Sequence, residues 1–130
     1  WQDIEEAFLT FFENLSLKNV GEDGVSLLVQ KAIQHIQEYY NQGITLEEVA
    51  AKLHVSEEYL STQFKKQTGR TFTETIRKYR IENVKELLLK STLKLNQIAD
   101  MVGYSDPKYM SKVFKDEVGM LPAEYRKKNS

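Results

Sequence analysis

One 25-residue segment occurs twice in this chain, and that repetition limits the fold more than any other feature. TLEEVAAKLHVSEEYLSTQFKKQTG, residues 45–69, returns as LNQIADMVGYSDPKYMSKVFKDEVG, residues 95–119. Ala50 aligns with Ala99, Leu53 with Val102 and Ser56 with Ser105. After a one-residue insertion, Tyr59 aligns with Tyr109, Ser61 with Ser111, Phe64 with Phe114 and Gly69 with Gly119. Self-similarity at a fixed spacing means that one supersecondary unit is built twice.

The pattern inside each copy is that of two short helices joined by a tight turn, a helix-turn-helix. Ala50 and Ala99 stand midway along the first helix, where a small side chain lets a second helix cross closely. Leu53 and Val102 follow three residues later, and then comes the turn: His54-Val55 in the first copy, with a glycine in the second. On the second helix, Tyr59, Leu60 and Phe64, or Tyr109, Met110, Val113 and Phe114, are expected to face a core. The other face is polar or basic, with Ser61, Thr62, Lys65 and Lys66 in one copy and Lys108, Ser111, Lys112 and Lys115 in the other. An exposed polar face on the second helix is what entry into a DNA major groove requires.

The rest of the chain is also helical in period. Trp1, Ile4, Phe8, Phe11 and Leu15 make a stripe on a connector helix, which the polar stretch from Asn19 to Gly24 ends. Its spacing fits packing on a domain or a short dimer contact. Further helices are expected over 26–41, with Ser26 as cap and Gly43 as stop, and over 46–53, where Thr45 and Glu48 form a capping-box pattern. Others cover 56–68, a long stretch from Thr71 or Thr73 to Ser91, 96–102, 107–118 with Asp106 and Pro107 at its start, and a short piece from Pro122. The long helix carries one apolar face of Ile76, Tyr79, Val84, Leu87 and Leu88. About 19 residues at ~1.5 Å each would span roughly 28 Å. Successive major-groove entries on one DNA face lie ~34 Å apart. The expected architecture is all-α. A connector occupies 1–24, and a domain occupies 25–130: a first homeodomain-like unit at 25–70, a linking helix at 71–92 and a second unit at 93–130. Tandem copies predict an asymmetric DNA site.

Several chemistries are excluded. Without cysteine there are no disulfides, no thiol catalysis and no cysteine-ligated zinc. His35 and His54 stand apart, without metal-ligand spacing. Glu5-Glu6 and Glu47-Glu48 read as caps or surface charge, and no nucleophile elbow or phosphate loop occurs. No catalytic residue, cofactor or metal is expected, so the chain is not read as an enzyme. No apolar run approaches the ~20 residues that span a bilayer, and the start lacks a secretory layout. A cytoplasmic protein without a membrane role is expected. The first residue, Trp1, predicts a piece of a longer protein or a processed product. Net charge is −1, but it is unevenly spread. Residues 1–61 hold three lysines against eleven acids, or −8; residues 62–130 hold fifteen cations against eight acids, or +7. An acidic end facing protein or solvent and a basic end facing a polyanion are expected.

Residues 98–127, IADMVGYSDPKYMSKVFKDEVGMLPAEYRK, resemble the signature of the AraC/XylS family of bacterial regulators. The likeness runs through Ile98, Ala99, Val102, Gly103, Tyr104, Tyr109, Phe114, Gly119, Pro122, Tyr125 and Arg126. YLSTQFKKQTG followed by Arg80 is similar to the family's upstream half, so the resemblance covers about residues 28–128. It implies two major-groove helices, 56–68 and 106–118. Base-reading positions would fall on Glu58, Ser61 and Thr62 in the first, and on Lys108, Ser111 and Lys112 in the second. Many members carry arginine at the positions of Thr62 and Lys112. Threonine cannot make a bidentate contact to guanine, so the second unit is expected to supply more of the affinity. Phosphate contacts are expected from Ser56, Lys65, Lys66, Arg77, Lys78 and Lys115, and an intramolecular ion pair from Arg80. His54 reads as a plain turn residue. SDPKY and the Gly-Met-Leu-Pro ending are most similar to response regulators with an N-terminal receiver; a membrane sensor or sugar-binding domain is the alternative. RNA polymerase and a second copy of the chain are further partners the resemblance admits. The expected function is sequence-specific binding of double-stranded DNA to regulate transcription. The competing reading is a helical protein-interaction module that works through the acidic half.

Overall fold

The computed structural model describes residues 25–129. Among them are seven helices and no strand. In chain order they are α1 (Leu27–Tyr39), α2 (Leu46–Lys52), α3 (Glu57–Thr68), α4 (Phe72–Lys90), α5 (Leu95–Val102), α6 (Pro107–Val118) and α7 (Pro122–Lys128). The expected connector helix lies outside the described residues.

Local chemistry explains the boundaries. The Ser26 hydroxyl accepts from the Val29 N–H at 3.3 Å, Thr45 from Glu48 at 3.1 Å and Ser56 from Tyr59 at 3.1 Å. Each satisfies an N–H that the first helical turn leaves without a partner. Thr71 and Glu74 cap each other, both hydrogen bonds being 3.0 Å. The bond from the Thr71 N–H, and after it the Thr71 hydroxyl, hold the Glu74 carboxyl below its ordinary pKa. Asp106 accepts from the Lys108 N–H at 2.9 Å, with Pro107 already helical behind it. α5 lacks a capping side chain at Lys94; instead Gln97 accepts from the Lys94 N–H at 2.9 Å, and the helix begins at Leu95, a residue earlier than expected.

Both helix-turn-helix turns are built alike. Val55 N–H donates to Ala50 at 3.0 Å and His54 N–H to Ala51 at 3.2 Å; Tyr104 N–H donates to Ala99 at 2.8 Å and Gly103 N–H to Asp100 at 3.3 Å. This doubled closure places His54 (φ 60°) and Gly103 (φ 97°) in left-handed backbone. The aligned alanines, Ala50 and Ala99, are buried as the close crossing requires.

Two separate cores result. The first joins α1, α2 and α3 through Val29, Ile36, Val49, Leu60 and Phe64, and takes Phe72 and Tyr79 from α4. The second joins α5 and α6 through Ile98, Val102, Met110 and Phe114, and takes Ile81, Val84, Leu87 and Leu88 from α4. The single apolar face expected on the long helix is therefore two faces. At ~100° per residue the first-core side chains lie about 140° round the helix from the second-core ones. The two copies stand on different sides of the helix they share.

Arginines tie the helix ends. Arg126 on α7 donates to the carbonyls of Leu88 at 3.0 Å and Ser91 at 3.2 Å, where α4 runs out of partners. Arg80 on α4 donates to the Tyr40 carbonyl at 2.8 Å, at the end of α1, and its guanidinium lies 5.1 Å from the Tyr104 ring centroid. Arg80 is intramolecular as expected, but its partners are a carbonyl and a ring in place of an acid. A second correction concerns the aligned tyrosines. Phe64 and Phe114 are fully buried, whereas Tyr59 is 52% exposed and Tyr109 57% exposed. The inward stripes are Leu60–Phe64 and Met110–Val113–Phe114, and a residue one step before Leu60 or Met110 is turned ~100° away.

Phe64→Ala and Phe114→Ala are expected to cost about 3–5 kcal/mol each in urea unfolding. Tyr59→Ala and Tyr109→Ala should cost under about 1.5 kcal/mol, even allowing for the edge-on contact of Tyr109 with Tyr104. Equal losses would return the tyrosines to the core. Burial pushes the Tyr79 phenol well above its ordinary pKa, against a smaller opposing effect of the 2.8 Å hydrogen bond from Gln37. An unfolded phenol ionises near pH ~10 while the folded one keeps its proton. This contribution to stability is therefore complete below about pH 10 and is lost as pH rises beyond it. Tyr79→Phe should flatten part of the alkaline decline in melting temperature; an unchanged decline would contradict the assignment.

Candidate nucleic-acid interface

The second helix of each copy has one buried and one open face. On α3, Glu58, Ser61, Thr62 and Lys65 share one stripe at spacings of three and four, and all are exposed. On α6, Lys108, Ser111, Lys112 and Lys115 repeat that spacing, with Ser111 half-buried and the others exposed. All six expected base-reading residues thus lie on matched stripes of matched helices, each backed by its own core. α4, 19 residues long, joins the two units without a break.

The stripes differ in charge. α3 opens with Glu57 and Glu58 and is basic only in its last turn, at Lys65 and Lys66. α6 carries lysine at Lys108, Lys112 and Lys115, from its first turn to its last. An anion approaching α6 meets positive charge along the whole stripe, whereas on α3 it meets carboxylates first. Tyr59 and Tyr109 flank these stripes and place an exposed phenol beside each. Their aromatic character suggested core, and only the one-residue offset from Leu60 and Met110 could have signalled otherwise. Tyr109 is propped edge-on against Tyr104, with ring centroids 5.9 Å apart.

The expected phosphate contacts fall into two groups. Lys65, Lys66 and Lys115 are exposed on α3 and α6. Ser56, Arg77 and Lys78 already have protein partners. Ser56 caps α3. Arg77 pairs with Glu117 of α6 at 3.3 Å, and Lys78 pairs with Glu82 one turn along α4 at 3.4 Å. Surface pairs of this kind are worth ~0–1 kcal/mol, so a phosphate can replace the carboxylate at little cost.

Elsewhere, an open groove between α1 and α2 is lined by His35, Tyr39, Glu48 and Lys52. Within it His35 stacks on Tyr39 at 6.1 Å and the Lys52 ammonium lies 5.4 Å from the Tyr39 ring centroid. Among the described residues no three His, Cys, Asp or Glu side chains gather as a metal site, and no helix is long and apolar enough to cross a membrane.

A family model described as a helix-turn-helix domain matches residues 49–128. The HTH-type transcriptional regulator YisR of Bacillus subtilis is 34% identical over 97 residues, covering 75% of this chain and 34% of that protein. The chain spans about a third of the length of the curated relatives it first matches. Among solved structures, the C-terminal domain of AraT, a response regulator from Geobacillus stearothermophilus, is 40% identical with a TM-score of 0.78, covering 80% of this chain and 87% of that one. The C-terminal domain of the two-component response regulator yesN from Fusobacterium nucleatum is 35% identical with a TM-score of 0.73, covering 78% and 99%.

Proposed function

The chain belongs to the AraC/XylS type of helix-turn-helix proteins, and on that footing we propose that it is the DNA-binding output domain of a transcription regulator, reading two boxes of an asymmetric duplex site with α3 and α6. The observation that carries this is the matched pair of solvent-facing stripes, each on the second helix of a repeated unit, joined by one continuous helix.

The roles follow from chemistry. Lys108 and Lys112 donate to guanine edges, Ser61, Thr62 and Ser111 to either edge, and Glu58 accepts from a cytosine amine. Tyr59 and Tyr109 flank these readers and reach sugar or phosphate with their hydroxyls. Lys65, Lys66 and Lys115 meet phosphates directly, Arg77 and Lys78 on release of their carboxylates, and Ser56 through its hydroxyl proton. Such contacts supply most of the affinity and its salt dependence. Because α6 is lysine-lined and α3 is not, the second unit contributes the larger share.

In the longer protein, a receiver stands N-terminal to this domain, as the likeness to response-regulator C-terminal domains suggests. Residues 1–24 then form the connector, and their apolar stripe serves a second copy of the chain. Contact with RNA polymerase and a cytoplasmic setting belong to the same reading.

Anisotropy titration of a mixed duplex pool across salt concentrations tests the function. Log affinity should fall steeply with log salt, by about 0.9 for each phosphate neutralised. Lys65→Ala or Lys115→Ala should reduce that slope by about 1. No binding at low salt would favour the protein-interaction module. On a cognate duplex, Lys112→Ala should cost about 1–3 kcal/mol and Thr62→Ala distinctly less; equal losses would contradict the unequal division between the units.

A further inference from the structure

We propose that Asn41, Arg80 and Gly103, all outside the recognition helices, form a clasp that locks the second unit against the first and thereby fixes the helical phase between the two boxes. This rests on the two-reader function above.

The aligned turns carry the argument. His54 and Gly103 hold the same left-handed position in the two copies. His54 shows that this position accepts a side chain. Gly103 differs in its surroundings, because a Cβ there would lie 2.8 Å from the Cα of Asn41 and 3.0 Å from its carbonyl carbon and oxygen. These are backbone atoms and cannot swing aside. The glycine therefore marks a close approach between the turn of the second unit and the loop that follows α1 in the first.

Two polar contacts hold the approach. The Asn41 amide donates to the Met101 carbonyl at 3.2 Å, across 60 residues of sequence. Arg80 donates to the Tyr40 carbonyl at 2.8 Å while its guanidinium lies over the Tyr104 ring, 5.1 Å from the centroid. Tyr40 precedes Asn41, and Tyr104 follows Gly103, so Arg80 grips both sides of the same junction. Tyr104 is itself buried in the second core, so the grip extends to the body of that unit. The Arg77–Glu117 pair adds a weaker, exposed tie from α4 to the end of α6.

A linking helix packed into both cores sets the distance between the two units and still permits a small rotation of each about it. DNA turns about 35° per base pair, so a small rocking decides whether a spacer one base pair longer is accepted. The approach of Asn41 to the turn at Gly103 bridges the units directly, and Arg80 of the linking helix pins both sides of that bridge, so that freedom is removed.

The test titrates the 130-residue chain against duplexes with both boxes, spacers changed by one to three base pairs, and duplexes with one box. Wild type, Gly103→Ala, Arg80→Ala, Asn41→Ala and Gly119→Ala are compared. Gly119 shares the left-handed backbone (φ 92°) but has no neighbour within 4 Å of a Cβ, so it isolates backbone strain from the clash. Wild type and Gly119→Ala should prefer one spacer by about tenfold or more, the scale of ordinary coupling between sites. Gly103→Ala and Arg80→Ala should bring that preference toward unity with single-box affinity kept, and Asn41→Ala should reduce it in part. If thermal melting shows Gly103→Ala to be unfolded, Arg80→Ala and Asn41→Ala decide. Retention of the wild-type preference in the folded clasp variants would overturn the proposal and leave phasing to the linking helix alone. A wild type indifferent to spacing would refute the two-reader function first, before any variant is compared, and the clasp with it.

Discussion

The structure depends on one helix being buried twice. α4 gives Phe72 and Tyr79 to one core and Ile81, Val84, Leu87 and Leu88 to another, on sides of the helix that face different ways. Units this small bury too little apolar surface to be more than marginally stable alone. Sharing a helix lets each close its core on a backbone that the other also holds in place. The same economy gives α3 and α6 a common frame: they are the outer walls of cores built on one rod, and their open faces inherit its geometry.

Much of this was legible in the sequence because it was local. Ser26, Thr45, Ser56, Thr71 and Asp106 cap the helices where their residue types and spacing say they should. Gly69, Gly103 and Gly119 end helices in left-handed backbone. The repeat carried the topology, since two copies of a helix-turn-helix leave few ways to arrange the rest. The exposed polar stripes of α3 and α6 were legible for the same reason, being the complement of a periodic apolar face.

What escaped was set by tertiary neighbours. Tyr59 and Tyr109 are aromatic within an apolar pattern, and only the true direction of the inward stripe, centred on Leu60–Phe64 and Met110–Phe114, exposes them. The change of face along α4 is hidden because two half-stripes of different aim resemble one continuous stripe. Arg80 was expected to find an acid, yet it meets a carbonyl from one unit and a ring from the other, partners 40 and 24 residues away in sequence. The crowding at Gly103 comes from Asn41, and no spacing rule connects them.

Net charge conceals the function more than it reveals it. The −1 balance averages an acidic first half with a basic second half, and the stripes repeat that contrast on a smaller scale: carboxylates at the mouth of α3, lysines along α6. The proposed weighting of affinity toward the second unit rests on that asymmetry. Selection of bound duplexes from a random pool, carried out at two salt concentrations, addresses the central claim most directly. Two reading helices predict two short, non-palindromic boxes about one helical turn apart, both retained at the higher salt. A single enriched box, or binding without any enriched sequence, would contradict it.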